Sequence, residues 1–423
     1  MLRYIVERIS DGEFLDLELP IDVSGAGRAL NGAGGFAGTV APDVGGLRYE
    51  NGALLIDPYG TFIHEESDGV IRGTWLVTRS EMDGPVWSIE GAGFSSYFAD
   101  RPYEGEYRGV QVDPIAVARH IVEHAQSFAG ADAGITVVGA SDVRVGTDSD
   151  DKEATAKAAA DAAKAVSEAA KKALEAARAL AKSDPSPANK ALVDARKAEA
   201  DAAAEVKKTR DEALSVAKER AREDGGAWKI LWWDTPDCLA EIQDAIEEAG
   251  FEWVEWSGWT SDRTRILKEI RCVPRVGRKQ DGISFIEGDN IIETVVVEDD
   301  VSEWANAVLA IGAGEGRDAL RVTVERASTR RRRVFVLDAK HVTKRSVLEK
   351  LAKAELSRRL QRLRVDMIRV VNHPNAEFGS FDVGDTILVD AEVSWLGRQR
   401  LWRRIEDLEY VGDDVVDLSL GDA

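Results

Sequence analysis

The chain has 423 residues, 44% of them hydrophobic and 31% charged, with 76 Asp and Glu against 55 Lys and Arg for a formal net charge of −21. That balance argues against a nucleic-acid coat or a polybasic membrane binder, and two cysteines, Cys238 and Cys272, cannot build a disulfide framework. Charges at Arg3, Glu7 and Arg8 interrupt the start where a signal peptide needs an apolar run, and no apolar run approaches the ~20 residues that span a bilayer, so a soluble multidomain chain without membrane insertion is expected.

The first ninety residues predict antiparallel β structure. Tyr4–Ile9 and Phe14–Leu19 alternate around Asp11-Gly12, and the pairs Asp68-Gly69 and Asp83-Gly84 mark further tight turns. The glycine-rich stretch Gly25–Gly46 is expected to be mostly loop. A helix is predicted over 113–128, with Asp113 as cap, Pro114 at its first position and an apolar stripe of Ile115, Ala118, Ile121 with Val122, Ala125 and Phe128. A strand at Ile135–Val138 follows.

Residues 151–223 are alanine-rich with interspersed charges, contain no glycine, and are broken only by SDPSP at 183–187. They predict two antiparallel helices, 151–182 and 188–223, with Val166, Leu174, Leu180, Leu192, Val206 and Leu214 adding bulk to an alanine seam. Beyond them, Trp228–Trp233 and Phe251–Trp256 read as strands around a helix that starts at Thr235–Asp237 and stops at Gly250. Asp281-Gly282 suggests a hairpin between Ile266–Val276 and Ile283–Glu287. Ile291–Val297 is β-like, Ser302–Leu309 is a short segment, and Leu320–Glu325 and Arg333–Leu337 are strands. A helix from Thr343 to Arg362 carries Val347, Leu348, Leu351, Ala354, Leu356 and Leu360 inward. A three-strand meander closes the chain from Thr386 to Leu420.

Four features invite a chemical reading. His120, Glu123 and His124 spell H-x-x-E-H, in which two histidines one turn apart bind zinc and the glutamate acts on its water. The remaining histidines are His64, His341 and His373, so a third ligand would have to be one of these or a distant carboxylate. A solvated helix face accounts for the motif more simply. Gly312–Gly316 superficially resembles a dinucleotide turn, but Arg317 replaces the last glycine and a strand-like stretch follows, so a structural turn is expected. Between Arg326 and Arg369 there are fifteen Lys and Arg against four Asp and Glu. In an acidic chain this local surplus favours a subunit interface over nucleic acid. Six tryptophans between Trp228 and Trp259 point to a domain core with some subunit contact, or alternatively to a sugar platform. No catalytic, cofactor-binding or metal-binding residues are assigned, no cofactor is expected, and the sequence does not look like an enzyme.

Several phrases resemble minor tail proteins of long-tailed phages that infect actinobacteria: LNGAGGFAGTVAPD (30–43), VWSIEGAGFSSYF (86–98), RPYEGEYRGVQVDPIAVARHIVEHAQS (101–127), ANAVLAIGAGEGRDALRV (305–322), FDVGDTILV (381–389) and LWRRIEDLEYV (401–411). The resemblance covers nearly everything except 151–223, which looks like an insertion. It implies a baseplate or tail-tip hub of α+β class, with two tail-tube-like β barrels per chain and three chains forming a pseudo-sixfold ring. The domain expectation is a first barrel from 1–90 with 263–288, an α+β domain from 91–150 with 224–262, and the inserted hairpin, a coiled coil, at 151–223. A second α+β domain at 289–363 and a second barrel at 364–423, with strands from 289–340 as candidate additions, complete it. Implied partners are two further copies of the chain, the distal tail protein, the C-terminus of the tape-measure protein, tip or fibre proteins, and DNA in transit. No appended lytic domain is expected. The competing readings are an envelope-degrading metallohydrolase using His120, Glu123 and His124, and a carbohydrate-binding adhesion protein built around Trp228–Trp259.

Overall fold

The computed structural model describes residues 2–45, 48, 52, 54–299, 304–314, 316–327, 330–340, 342, 345–360, 363–393, 396–412 and 414–423. The chain divides into two compact units: Met1–Tyr97, Ala133–Ile135 and Glu252–Ala423 form one, and Phe98–Asp132 with Thr136–Phe251 the other. The architecture is mixed α+β.

The first unit is built on a twelve-stranded sheet. Its strands are β1 (Leu2–Arg8), β2 (Phe14–Asp16), β3 (Ile21–Ala29), β4 (Gly35–Val40), β5 (Thr61–Ser67), β6 (Val70–Asp83) and β7 (Val86–Gly93) from the N-terminal part. From the C-terminal part come β8 (Lys279–Ile286), β9 (Met367–Val371), β10 (Thr386–Val393), β11 (Gly397–Tyr410) and β12 (Val415–Asp422). The order is β8-β10-β11-β3-β4-β7-β6-β5-β1-β2, with β12 on β11 and β9 on β12. The Asp68-Gly69 turn works as the sequence predicts: φ is 52° and 84° at its two residues, the left-handed pair that a tight hairpin demands.

Two expectations fail here. The Gly25–Gly46 stretch is not mostly loop, because β3 and β4 occupy much of it. Glycine serves there for close approach: a Cβ on Gly34 would stand 2.0 Å from the Gly27 carbonyl oxygen. The indole of Trp75 donates to that same oxygen at 2.9 Å. Asp281-Gly282 makes no hairpin; it lies inside β8, at the register shift of its parallel pairing with β10. Only a partner strand, invisible in the local pattern, decides between bulge and turn.

Each half of the sheet has its own apolar layer. Val6, Phe36, Ile63, Trp75 and Ile89 lead the N-terminal one, and Phe285, Ile368, Ile387, Ile405 and Leu418 the C-terminal one. Tyr410 packs against both. Among the described residues no pairing closes either half upon itself. A satellite sheet, Arg321–Glu325, Ala307–Ile311 and Val334–Asp338, carries a helix at Arg345–Arg359. That helix turns Leu348, Ala352 and Leu356 inward, while Val347 and Leu351 are exposed, contrary to the sequence expectation. Ile291–Val297 forms no strand but an irregular segment tied to β9 by the Ile292 amide and the Arg369 carbonyl. Ser302, Glu303, Thr343 and Arg362 lie outside the described residues.

In the second unit, helix α1 (Pro114–Gln126) starts where Asp113 accepts from the Ile115 amide at 2.9 Å. Helices α2 (Ser149–Ser183) and α3 (Pro187–Asp224) form the antiparallel hairpin, and α4 (Cys238–Glu248) packs on α1. The hairpin seam is Ala160, Ala163, Ser167, Leu174 and Ala177 against Ala200. Of the bulky residues expected there only Leu174 is buried; Val166, Leu180, Leu192 and Val206 are exposed. At its base the Thr147 and Ser149 hydroxyls and the Gly226 amide all donate to one oxygen, Asp224 Oδ1. No described helix is long and apolar enough to cross a membrane.

Candidate functional site

The H-x-x-E-H residues sit on α1, yet the helix does not assemble a metal centre. The Tyr103 hydroxyl and His120 Nε2 share a hydrogen bond of 2.9 Å, and the Tyr107 ring lies 4.7 Å from that imidazole. The His124 ring lies tilted against Tyr103, 4.3 Å between centroids, and meets Phe128 edge-on. Burial and the neighbouring His120 push the His124 imidazole below its usual range, toward the neutral form. Glu123 is exposed. The two histidines therefore belong to an aromatic cluster rather than a solvated face, and Phe128, expected inside, is exposed. His64 is engaged by Glu7 and Thr74, His373 faces Asp289 at 3.3 Å, and His341 lies outside the described residues. Among the described residues no group of three or more His, Cys, Asp or Glu converges on a point that would hold an ion.

The other candidates resolve as structure. Gly312 follows the strand Ala307–Ile311 and is pressed against the Val342 carbonyl, where a Cβ would come within 2.7 Å. The turn passes through a single 3-10 turn, Gly316–Asp318, into another strand, so no α-helix N-terminus is presented to a phosphate; Glu315 lies outside the described residues. The tryptophans form no single core. Trp253 is buried and Trp256 lies beneath the Arg271 guanidinium at 3.5 Å in the first unit, whereas Trp232 and Trp233 are exposed in the second. The expected strand there stops at Leu231, and Trp232–Asp234 is a 3-10 turn. Arg330–Arg333 are exposed, with Arg332 paired to Glu325 at 3.0 Å and Arg330 over the Trp304 ring.

The feature that sequence reading did not locate is the seam between the two halves of the sheet. Strand β11 is long enough to pair twice on one edge, with β10 through Gly397–Arg404 and with β3 through Asp407–Tyr410. The second pairing sets Asp407 against Ala29, Leu408 against Arg28, Glu409 against Gly27 and Tyr410 against Ala26. Charged locks flank it. Arg404 holds Glu252 with two nitrogens at 2.6 and 2.5 Å and donates to the Gly384 and Val276 carbonyls. Arg28 reaches Asp382 at 2.9 Å. Planar two-point pairing of this kind fixes geometry more firmly than a lysine contact. The only local sign of the seam is the fourteen-residue length of β11, well beyond the eight residues that pair with β10.

A second lock ties β1 and β5 to the strand Ile266–Val273. Lys268 Nζ donates to both Glu7 oxygens at 2.8 and 3.1 Å, and His64 Nε2 donates to Glu7 Oε2 at 2.7 Å. Burial alone would raise the Glu7 carboxyl, but the His64 hydrogen bond and the Lys268 charge outweigh it and hold it at about 2. Burial keeps His64 neutral, with Nδ1 accepting from the Thr74 hydroxyl at 2.8 Å. Nearby, the Glu255 carboxylate accepts from the Ser95 amide at 2.5 Å and abuts Gly93. With its head enclosed, burial pushes it up to about 7 against those hydrogen bonds.

No protein-family model and no curated protein sequence matches the chain. Among solved structures, it is similar to the 43 kDa tail protein of prophage MuSo2 from Shewanella oneidensis, with a TM-score of 0.52 and 12% identity over 100% of this chain and 98% of that one. Prophage tail protein gp18 from Listeria monocytogenes EGD-e aligns with a TM-score of 0.49 and 10% identity, covering 99% and 94% of the two chains. A tail protein from Neisseria meningitidis MC58 gives 0.49 and 11%, covering 99% and 96%. At these identities the likeness is one of fold.

Proposed function

We propose that this protein is a structural component of a phage-type tail tip: a hub that closes the tail tube and joins it to tip and fibre proteins. The observation that carries the reading is the β3–β11 seam. Through it, one chain presents two β modules, from opposite ends of its sequence, edge to edge in one sheet. The whole-length fold likeness to a tail protein supports the same reading. Each module acts as one tube-like position, so three copies supply six and adapt a sixfold tube to a threefold tip. The protein thus resides in the virion, at the tail end.

In this reading the partners are two more copies of the chain, the distal tail protein and the end of the tape-measure protein. The basic segment Arg326–Arg369 meets an acidic neighbouring subunit, and the acidic excess faces the channel, where it lets DNA pass without adhering. The role is structural, without catalysis. The test is the copy number in assembled tails: three copies per particle support the hub, and one or six contradict it. A channel wall that is basic contradicts the proposed path for DNA.

A further inference from the structure

The hairpin carries two apolar faces, and only one is used within the chain. Along α2 the buried seam residues Ala160, Ala163, Ser167, Leu174 and Ala177 recur at steps of three, four, seven and three residues, one helix face. The residue just before each is Ala159, Ala162, Val166, Ala173 and Ala176, and Leu180 precedes the half-buried Ala181 in the same way. The residue just after each of Ala160, Ala163, Ser167 and Leu174 is charged: Asp161, Lys164, Glu168 and Glu175. Helix α3 repeats the asymmetry: Leu192, Ala195, Ala202, Val206, Ala213 and Val216 precede its inward positions, with Glu199 and Arg220 the charges among them. Val166 is 60% exposed, Val206 54% and Val216 70%.

One residue turns an α-helix by about 100°, so each helix has a second apolar face about 100° from its seam. Because α2 and α3 run antiparallel and both are offset by one residue toward lower numbers, the two second faces lie on the same side of the hairpin. Two apolar faces at about 100° mark a helix with two helical neighbours in a closed bundle, between the ~90° of four helices and the ~120° of six. The unused face repeats the alanine-rich composition and heptad-like spacing of the seam that α2 and α3 already form, so what fits it is a helix pair of the same kind. At about 1.5 Å per residue and 8–10 Å between axes, the face covers roughly 500 Å² per copy, and two such faces reach the ~1,000 Å² of a specific contact.

We infer that the occupant is the hairpin of a second copy, and that the hairpins of separate chains join through this face into one helical bundle. The inference rests on the self-association proposed above but concerns a different surface. The test uses the full chain. Its two native cysteines are buried, so a cysteine placed at Val166 reports on the face and one at Lys164 on the opposite side. Val166→Cys is expected to form inter-chain disulfides under mild oxidation and Lys164→Cys to form few. Val166→Lys with Val206→Lys, at exposed positions that leave the hairpin helical by circular dichroism, is expected to weaken self-association about tenfold or more by sedimentation. A wild-type chain that stays monomeric at high concentration, a double variant with unchanged mass, or equal cross-linking at the two sites overturns the inference. A trimer that persists in the double variant overturns it while leaving the hub reading intact, and a hairpin-dependent dimer supports it while contradicting threefold assembly. A hairpin that cross-links only to another tail protein identifies a different occupant and likewise overturns it.

Discussion

At the scale of single residues, the enclosed carboxyls are what make the first unit sensitive to pH. Burial lifts the folded Glu255 carboxyl to about 7, from the 4.5 of an exposed glutamate. Its neutral form is favoured by folding, so its contribution is complete below about 4.5 and is lost as pH rises through about 7. Glu255→Gln should therefore be more stable than wild type at pH 8 by roughly 2 kcal/mol, with the difference shrinking toward pH 5. Urea unfolding of both proteins across that range checks this, and a pH-independent difference would refute it. Comparing the pair matters because His64, lowered by burial, works in the opposite sense: its contribution grows as pH rises toward 6.5 and is complete above it. Glu7, held at about 2, does not titrate in this window. Glu7→Gln removes the carboxylate that Lys268 is held against and should cost about 3 kcal/mol at pH 7, again read by urea unfolding. A loss below 1 kcal/mol would mean that the lock matters little.

At the scale of elements, the glycines of β3 and β4 and the length of β11 decide whether the two halves of the sheet join. Gly34→Ala forces a methyl group into the Gly27 carbonyl and should destabilise the first unit by about 1–3 kcal/mol. Thermal unfolding measures it, and an unchanged transition would show that the backbone yields there without cost. Much at this level was legible in sequence: the Asp68-Gly69 hairpin, the capped helix at Asp113 and the long hairpin follow from local chemistry that nothing distant overrides. Gly25–Gly46 was misread because its glycines serve strand-to-strand approach, a demand set by residues far along the chain. Asp281-Gly282 failed for the same reason. The H-x-x-E-H motif was literal, yet Tyr103 and Tyr107 claim the imidazoles, and no spacing rule within α1 foretells partners outside it. The hairpin showed its helices plainly, but only the burial of Ala160 and Ala163 beside exposed Val166 separates its two faces.

At the scale of the whole molecule, strands from the first hundred residues and the last sixty share one sheet, so neither end forms its share of the seam without the other. Removing β12 should leave one edge of β11 unpaired along Arg403–Tyr410 and expose the apolar layer around Leu418. Loss of cooperative unfolding and gain of hydrophobic-dye binding are the expected readouts, and a truncated chain with an intact transition would contradict the shared-sheet account. The central claim is that each chain gives two equivalent places to a ring. The most direct measurement is a reconstruction of the assembled tail end at a resolution that separates strands. The account predicts three copies, with the β1–β7 half and the β8–β12 half alternating around six positions; any other copy number, or a ring in which only one half takes part, contradicts it.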